Sequence, residues 1–366
     1  MDQLNDANPL EKRLVGKANE ARIPITANFE LTPTCNLHCD MCFIRMEHSA
    51  VQAMGGVRTL EDWLDTARQL KEMGTLFILL TGGEPMLYPH FKELYIALRE
   101  MGFILTINTN GTLIDEEIAR MFQRLKPRRV NVTLYGASNG TYQQLCRSPH
   151  GFDQCMKGLH LLKAHGIDTK MNLSIVKENI HEYPQLLDIA RELDIPAEVN
   201  SYMFSCTRST CQPTRDITAQ RLDATQAGWA EVEYLRYKKG KDFPAYARSM
   251  TQALQQEIPA AVGVGLDCRA GKSSCWFDWR GRLTPCCVME EPAVVLKETT
   301  VAQAWEQIKT AAEALPKHEE CNGCSLRMIC DVCYAAACHE KKACGNLNYL
   351  CEMSRTKKEA FLHETH

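Results

Sequence analysis

Three features are missing from this sequence. No stretch approaches the ~20 apolar residues that cross a bilayer, and residues 1–21 are polar and charged rather than a signal peptide. A formal net charge of −3 and a pI near 6.4 leave no basic excess to hold a polyphosphate backbone. Membrane and nucleic acid are therefore not expected as partners. The one lysine run, Lys238, Lys239 and Lys241, reads as a solvated helix end.

What is abundant is cysteine, 18 among 366 residues. With no export signal the expected location is cytoplasmic, where thiols stay reduced. Metal or cluster ligation is then a better reading than a disulfide framework. Hydrophobic residues make up 45% of the chain, enough for a large core, and the length predicts two or three domains.

Residues 25–204 alternate short apolar, β-rich runs with helical patterns, as stacked βα units and a parallel sheet do. Six strands are expected, over residues 25–31, 75–80, 103–108, 129–135, 167–176 and 197–203. Thr59 with Asp62 predicts a helix start, and Gly74, Gly102 and Gly166 predict helix ends. Six units fall short of a closed eight-stranded barrel. The expected fold is thus α/β, a partial (β/α)6 TIM-like barrel, reactive at the C-terminal ends of its strands. Residues 1–24 form an N-terminal extension. Residues 205–265 read as a linker with a helical insertion over about 219–238, and its polar loop holds Cys206 and Cys211. Residues 266–366 are dense in cysteine and poor in apolar periodicity, and are expected to be a separate small domain that depends on metal for its fold.

Directly after the first expected strand comes Cys35-Asn-Leu-His-Cys39-Asp-Met-Cys42. Three thiolates on one loop can ligate three irons of a [4Fe–4S] cube and leave the fourth open. Chelation there by the amino and carboxylate groups of S-adenosylmethionine would place its sulfonium beside an electron donor, as reductive cleavage to a 5′-deoxyadenosyl radical requires. A structural zinc knuckle is the alternative, with His38 or His48 as fourth ligand. At the end of the second strand stands Thr81-Gly82-Gly83-Glu84-Pro85, where two glycines would let the backbone approach a methionyl amine and Glu84 would add charge.

Together these motifs resemble the radical S-adenosylmethionine superfamily. The resemblance extends through Asn108-Thr109-Asn110-Gly111 and Val132-Thr133-Leu134-Tyr135-Gly136 at the third and fourth strand ends. It implies cofactor contacts from Gly82, Gly83, Glu84, Pro85, Asn108 and Asn110, a ribose or methionyl contact from Thr133, and an Arg147 partner for the methionyl carboxylate. Thr133 and Arg147 read equally as surface residues. Where many relatives carry an aromatic residue before the third cysteine this chain has Met41, whose backbone could still meet adenine.

The C-terminal cysteines are Cys268, Cys275, Gly281-x4-Cys286 and Cys321-x2-Cys324-x5-Cys330-x2-Cys333-x17-Cys351. This resembles the SPASM domain, the auxiliary-cluster module of radical S-adenosylmethionine maturases, except that its usual third gap is three residues and here is two. The resemblance implies one cluster on Cys268, Cys275, Cys286 and Cys333 and a second on Cys321, Cys324, Cys330 and Cys351, making three [4Fe–4S] clusters in all. A pair of zinc sites is the alternative that spacing alone leaves open. Cys287 stands where anaerobic sulfatase maturases carry a catalytic aspartate. It reads as a hydrogen donor, a substrate-binding thiol or an alternative ligand, and Cys206 and Cys211 could serve the same parts. Cys146, Cys155, Cys338 and Cys344 read as ordinary small residues or loop thiols, and Trp276, Asp278 and Trp279 as packing.

The resemblance implies a maturase that abstracts hydrogen from a peptide or protein and passes an electron to its auxiliary clusters, fed by a reductant such as flavodoxin or ferredoxin. The short N-terminal extension leaves no room for a fused leader-binding domain, so a separate leader-binding protein is expected. Chemistry on a small-molecule or tetrapyrrole cofactor precursor and peptide epimerisation with a cysteine hydrogen donor are the enzymatic alternatives. An iron–sulfur carrier is the non-enzymatic one, and the Gly82-Gly83-Glu84 element disfavours it.

Overall fold

The computed structural model describes residues 9–204, 217–255, 265–297, 299–330 and 333–364. Six strands, β1 (Thr26–Glu30), β2 (Phe77–Thr81), β3 (Ile104–Thr109), β4 (Arg129–Leu134), β5 (Thr169–Ser174) and β6 (Ala197–Asn200), lie side by side in chain order, all parallel. The first five meet the expected runs to within two residues, the sixth ends three residues earlier than expected, and the fold is the partial α/β barrel the repeats imply. The helix Leu60–Glu72 opens on a capping box in which Thr59 and Asp62 satisfy each other's backbone N–H, a device worth ~1 kcal/mol.

Side-chain alternation splits each strand between two environments. Phe29, Leu80, Leu105, Val132 and Met171 are fully buried. They face the helical layer, where the Phe29 ring lies 4.7 Å from Trp63 of the helix Leu60–Glu72. The opposite face is polar and internally bonded. Asn28 donates to Ser274, Asn131 donates to Asn108 at 2.8 Å, and Lys170 pairs with Glu198. A lumen of this character is built for a polar ligand rather than for a dry core.

Residues from 266 onward do not stand apart. β7 (Ser274–Phe277) pairs parallel with β1, and β8 (Arg282–Thr284) and β9 (Val294–Val295) extend it antiparallel into one nine-stranded sheet. The physical reason is the free edge of β1, against which Cys275, Phe277 and Leu283 bring apolar side chains. Above them packs the helix Val301–Glu313, whose Trp305 Nε1 donates to Arg22 O at 3.0 Å. At the far edge the helices Ala224–Lys239 and Asn348–His363 lie so close that a Cβ on Gly228 would fall 2.7 Å from Met353 O. A buried ion pair, Arg221 with Glu340 at 2.5 Å, joins this helical layer to the helix Tyr334–Cys344. Tyr202 OH also donates to Glu340, and the Arg221 guanidinium lies 3.7 Å from the Tyr349 ring centre. Among the described residues no helix is long and apolar enough to cross a membrane.

Candidate active site

Past β1 the chain continues alongside the end of β2: Gly83 N donates to Thr32 O at 2.7 Å and Glu84 N to Thr34 O at 2.9 Å. Side chains on the two glycines would collide with this neighbour, since a Cβ on Gly82 would lie 2.4 Å from Thr32 O and one on Gly83 2.3 Å from Thr34 O. The pair of glycines is therefore needed to seat the cysteine loop against the sheet.

Cys35, Cys39 and Cys42 follow on that loop. Leu37 N points to Cys35 Sγ at 3.4 Å and Arg45 N to Cys42 Sγ at 3.3 Å. Asn110, at the end of β3, reaches Cys35 Sγ at 3.6 Å and Asn36 Oδ1 at 2.9 Å. From the other side the helix Asn139–Cys146 accepts two loop amides, His38 N on Cys146 O and Asp40 N on Leu145 O. Burial pushes Cys35 up to about 12, with Glu84 and the thiols of Cys39 and Cys42 adding to it, and burial pushes Cys42 up to about 11. Cys39 is driven up by Cys146 beside it and by burial. Without iron these thiols are protonated near neutral pH; ligation requires their deprotonation.

The zinc-knuckle alternative finds no support in this geometry. His38 and His48 are exposed, and His38 Nε2 is engaged with Arg45. Among the described residues no three His, Cys, Asp or Glu donors converge on one ion. A four-iron cube takes its thiolates from a wider ring than a single tetrahedral ion does.

Glu84 is bonded to the end of the third strand. It is fully buried, accepting from Thr109 Oγ1 at 2.9 Å, Asn110 N at 2.8 Å and Met86 N at 3.3 Å. Burial pushes its carboxyl up to about 7 against the pull of those bonds. Its oxygens tie β2 to β3 and so hold Asn110 against Cys35. Pro85 begins the tight turn Pro85–Leu87 that follows. Arg147, in the left-handed conformation at φ 56°, pairs with buried Asp40 at 2.6 Å and so braces the cysteine loop. Met41 packs its side chain into the core. Asn108 and partly buried Thr133 share the polar face of the barrel. Asn131, which the sequence reading missed, sits between them in the sheet with a buried Oδ1 that lacks a hydrogen-bond partner. An unsatisfied acceptor beside Asn108 and Thr133 fits a nucleoside ligand. Its only sequence signal was the polar member of an alternating strand.

In the C-terminal region Cys321, Cys324, Cys330 and Cys351 line one pocket with Leu347 and Leu350. Cys268, Cys286 and Cys333 form a second group: burial pushes Cys286 up, and Cys287, Cys333 and Cys268 add to it. Cys275, expected in this group, is elsewhere. It is 1% exposed in the core, its Sγ 3.8 Å from Thr26 O, and burial alone raises it, with no thiol contributing. Cys287 is half-buried beside Cys286. Cys206 and Cys211 lie outside the described residues.

A βα barrel whose first strand feeds a C-x3-C-x2-C loop, met by Gly-Gly-Glu-Pro from the second, defines a radical S-adenosylmethionine enzyme. Residues 29–190 match the Radical SAM superfamily and form its domain in this chain; that family implies S-adenosylmethionine and one [4Fe–4S] cluster as cofactors. The chain is similar to the AdoMet-dependent heme synthase of Oleidesulfovibrio alaskensis, at 23% identity over 84% of this chain and 81% of that one. It is also similar to AlbA of Bacillus subtilis, the antilisterial bacteriocin subtilosin biosynthesis protein, at 26% identity over 74% of this chain and 56% of that one. The crystal structure of Streptococcus suis SuiB bound to its precursor peptide SuiA shares the fold, with a TM-score of 0.66 and 20% identity over 93% of this chain and 80% of that one.

Proposed function

We propose that this enzyme oxidises a peptide or protein substrate, abstracting hydrogen at one residue and passing an electron out through two auxiliary [4Fe–4S] clusters. The observation that supports it best is the β1–β7 pairing, which joins the strand that feeds the Cys35–Cys42 loop to the β7–β8 hairpin that leads into Cys286. Two further clusters in the region joined to the barrel through β7 would be an exit for an electron. The likeness to AlbA and to SuiB, which has been captured with a precursor peptide, supports a peptide as substrate.

With Cys35, Cys39 and Cys42 holding a cluster, bound S-adenosylmethionine would supply the radical chemistry that activates a C–H bond. The chain's own residues prepare that event. Cys35, Cys39 and Cys42 give up their protons to hold the cluster. Asn110 and the Arg147–Asp40 pair fix the loop that carries them, and Asn131 offers its carbonyl oxygen to the nucleoside. A flavodoxin or ferredoxin would supply the electron, and a separate protein could present the peptide leader.

A second reading is transformation of a tetrapyrrole precursor, favoured by the extent of the match to heme synthases. The deciding experiment incubates reconstituted enzyme, S-adenosylmethionine and reductant with peptides encoded beside the gene or with iron porphyrins. Raised 5′-deoxyadenosine with a peptide product two hydrogens lighter is expected. Turnover of porphyrin alone would refute the peptide reading.

A further inference from the structure

Strand β7 presents its side chains alternately to two faces of the sheet. Ser274 and Trp276 lie on the lumen side, where Trp276 Nε1 donates to Glu30 at 2.9 Å and Asn28 donates to Ser274. Cys275 and Phe277 lie on the other, where Phe277 meets Phe29 edge-on at 5.6 Å beneath Trp63. Thr284 of β8 pairs with Trp276 and so belongs to the lumen side, and Cys286 follows two residues later where the chain turns. Bringing Cys275 to Cys286 would require a one-residue slip of β7, which would turn every side chain of the strand over. The bonds to Glu30 and Asn28 would be lost together. Cys275 is a core residue of the β1–β7 seam.

The group left is Cys268, Cys286 and Cys333, one thiolate short of the four that a closed cluster takes. A single helix, Tyr334–Cys344, fixes both sides of it. Cys333 caps that helix, accepting from Ala336 N at 3.3 Å, and His339 from its second turn bonds Val288 O at 2.6 Å. The turn so held is Cys286-Cys287-Val288, further closed by Met289 N on Cys286 O and by Thr284 Oγ1 on Cys286 O. Cys287 is therefore presented, half-buried, in the same clamped turn as a member of the group.

We propose that the first auxiliary cluster of this enzyme is held by Cys268, Cys286, Cys287 and Cys333, and that Cys275 takes no part in it. This rests on the auxiliary-cluster reading above, and departs from the ligand set that the SPASM resemblance implied. A thiolate bound to iron has no S–H to give, so Cys287 is then a ligand and not a hydrogen donor.

The test uses full-length chain carrying Cys35→Ala, Cys39→Ala and Cys42→Ala, so that only auxiliary clusters load, at about eight irons. If the auxiliary-cluster reading itself fails, this parent holds almost no iron. Given a loaded parent, Cys275→Ala is expected to keep about eight irons and an unchanged EPR spectrum after reduction. Cys287→Ser is expected to change the g-values of one cluster and lower its reduction potential, and Cys287→Ala to bring the iron to about four or leave an oxidatively labile cluster. Circular dichroism confirms that each variant is folded. Loss of about four irons in folded Cys275→Ala, or unchanged iron and spectra in both Cys287 variants, would overturn the proposal.

Discussion

Glu84 offers a sharp test of how the site is built. Its carboxyl rises from 4.5 to about 7 on folding because it is buried. Between those values the folded chain therefore holds a proton that the unfolded chain has released. Stability from this group is fully present below about pH 4.5 and is lost as pH rises through 7. A shift of that size corresponds to roughly 3 kcal/mol. Glu84→Gln removes the titration. One amide oxygen still accepts from Asn110 N, but Thr109 Oγ1, which already accepts from Gly111 N, must rearrange to meet an NH2. The cost at low pH is ~1 kcal/mol. The variant should be less stable than wild type at pH 5 and equal or better at pH 8. Glu84→Ala instead strands two buried donors, Thr109 Oγ1 and Asn110 N, at ~1–3 kcal/mol each before relaxation, and should loosen Asn110 from Cys35 and impair cluster loading. Urea unfolding of the reduced, iron-free chain, followed by tryptophan fluorescence at pH 5 and 8, measures all of this. Identical pH slopes for wild type and Glu84→Gln would refute the argument.

Anaerobically reconstituted wild-type protein should hold about twelve irons with matching sulfide, falling to about eight when Cys35, Cys39 and Cys42 are all Ala; chemical iron assay reads both. Cys42→Ala alone should abolish formation of 5′-deoxyadenosine, followed by chromatography. Since burial holds Cys35 at about 12 and Cys42 at about 11 before iron binds, loading must expel protons and should proceed further at pH 8.5 than at pH 7, with the release visible to a pH indicator. Glu340→Ala leaves Arg221 buried without its carboxylate and should cost ~3–5 kcal/mol in denaturant unfolding. Turnover in heavy water should give product without solvent deuterium at the oxidised residue, read by mass spectrometry.

The six barrel strands were legible because Phe77–Thr81 offers the nearly continuous apolar run of a buried parallel strand, and Arg129–Leu134 alternates Val130, Val132 and Leu134 with polar residues, between clear helix signals. The cysteine loop was legible for a related reason, since its chemistry is written in spacing. Glu84 was not. Its bonds to Thr109 and Asn110 carry no mark in the sequence, because those partners lie about 25 residues away. The pairing of Arg147 with Asp40 was hidden for the same reason, the two lying 107 residues apart. Cys275 shows how a count of thiols misleads. Its distance along the chain from Cys286 suits a cluster, yet the parity of β7 turns it to the helices. Asn131 was hidden because one polar residue in a strand carries no signal until its neighbours are known.

The β7–β1 ladder also has a history in the making of the protein. Asn28 and Ser274 are 246 residues apart in the chain. At ribosomal rates of about 5–20 residues per second, β1 waits some tens of seconds for its second neighbour. Throughout that interval the nascent barrel exposes the parallel edge of β1, an invitation to pair with another chain. The nascent chain should therefore lean on chaperones until residue 277 emerges. Truncations ending before β7 should aggregate even though the whole radical-generating loop is present in them.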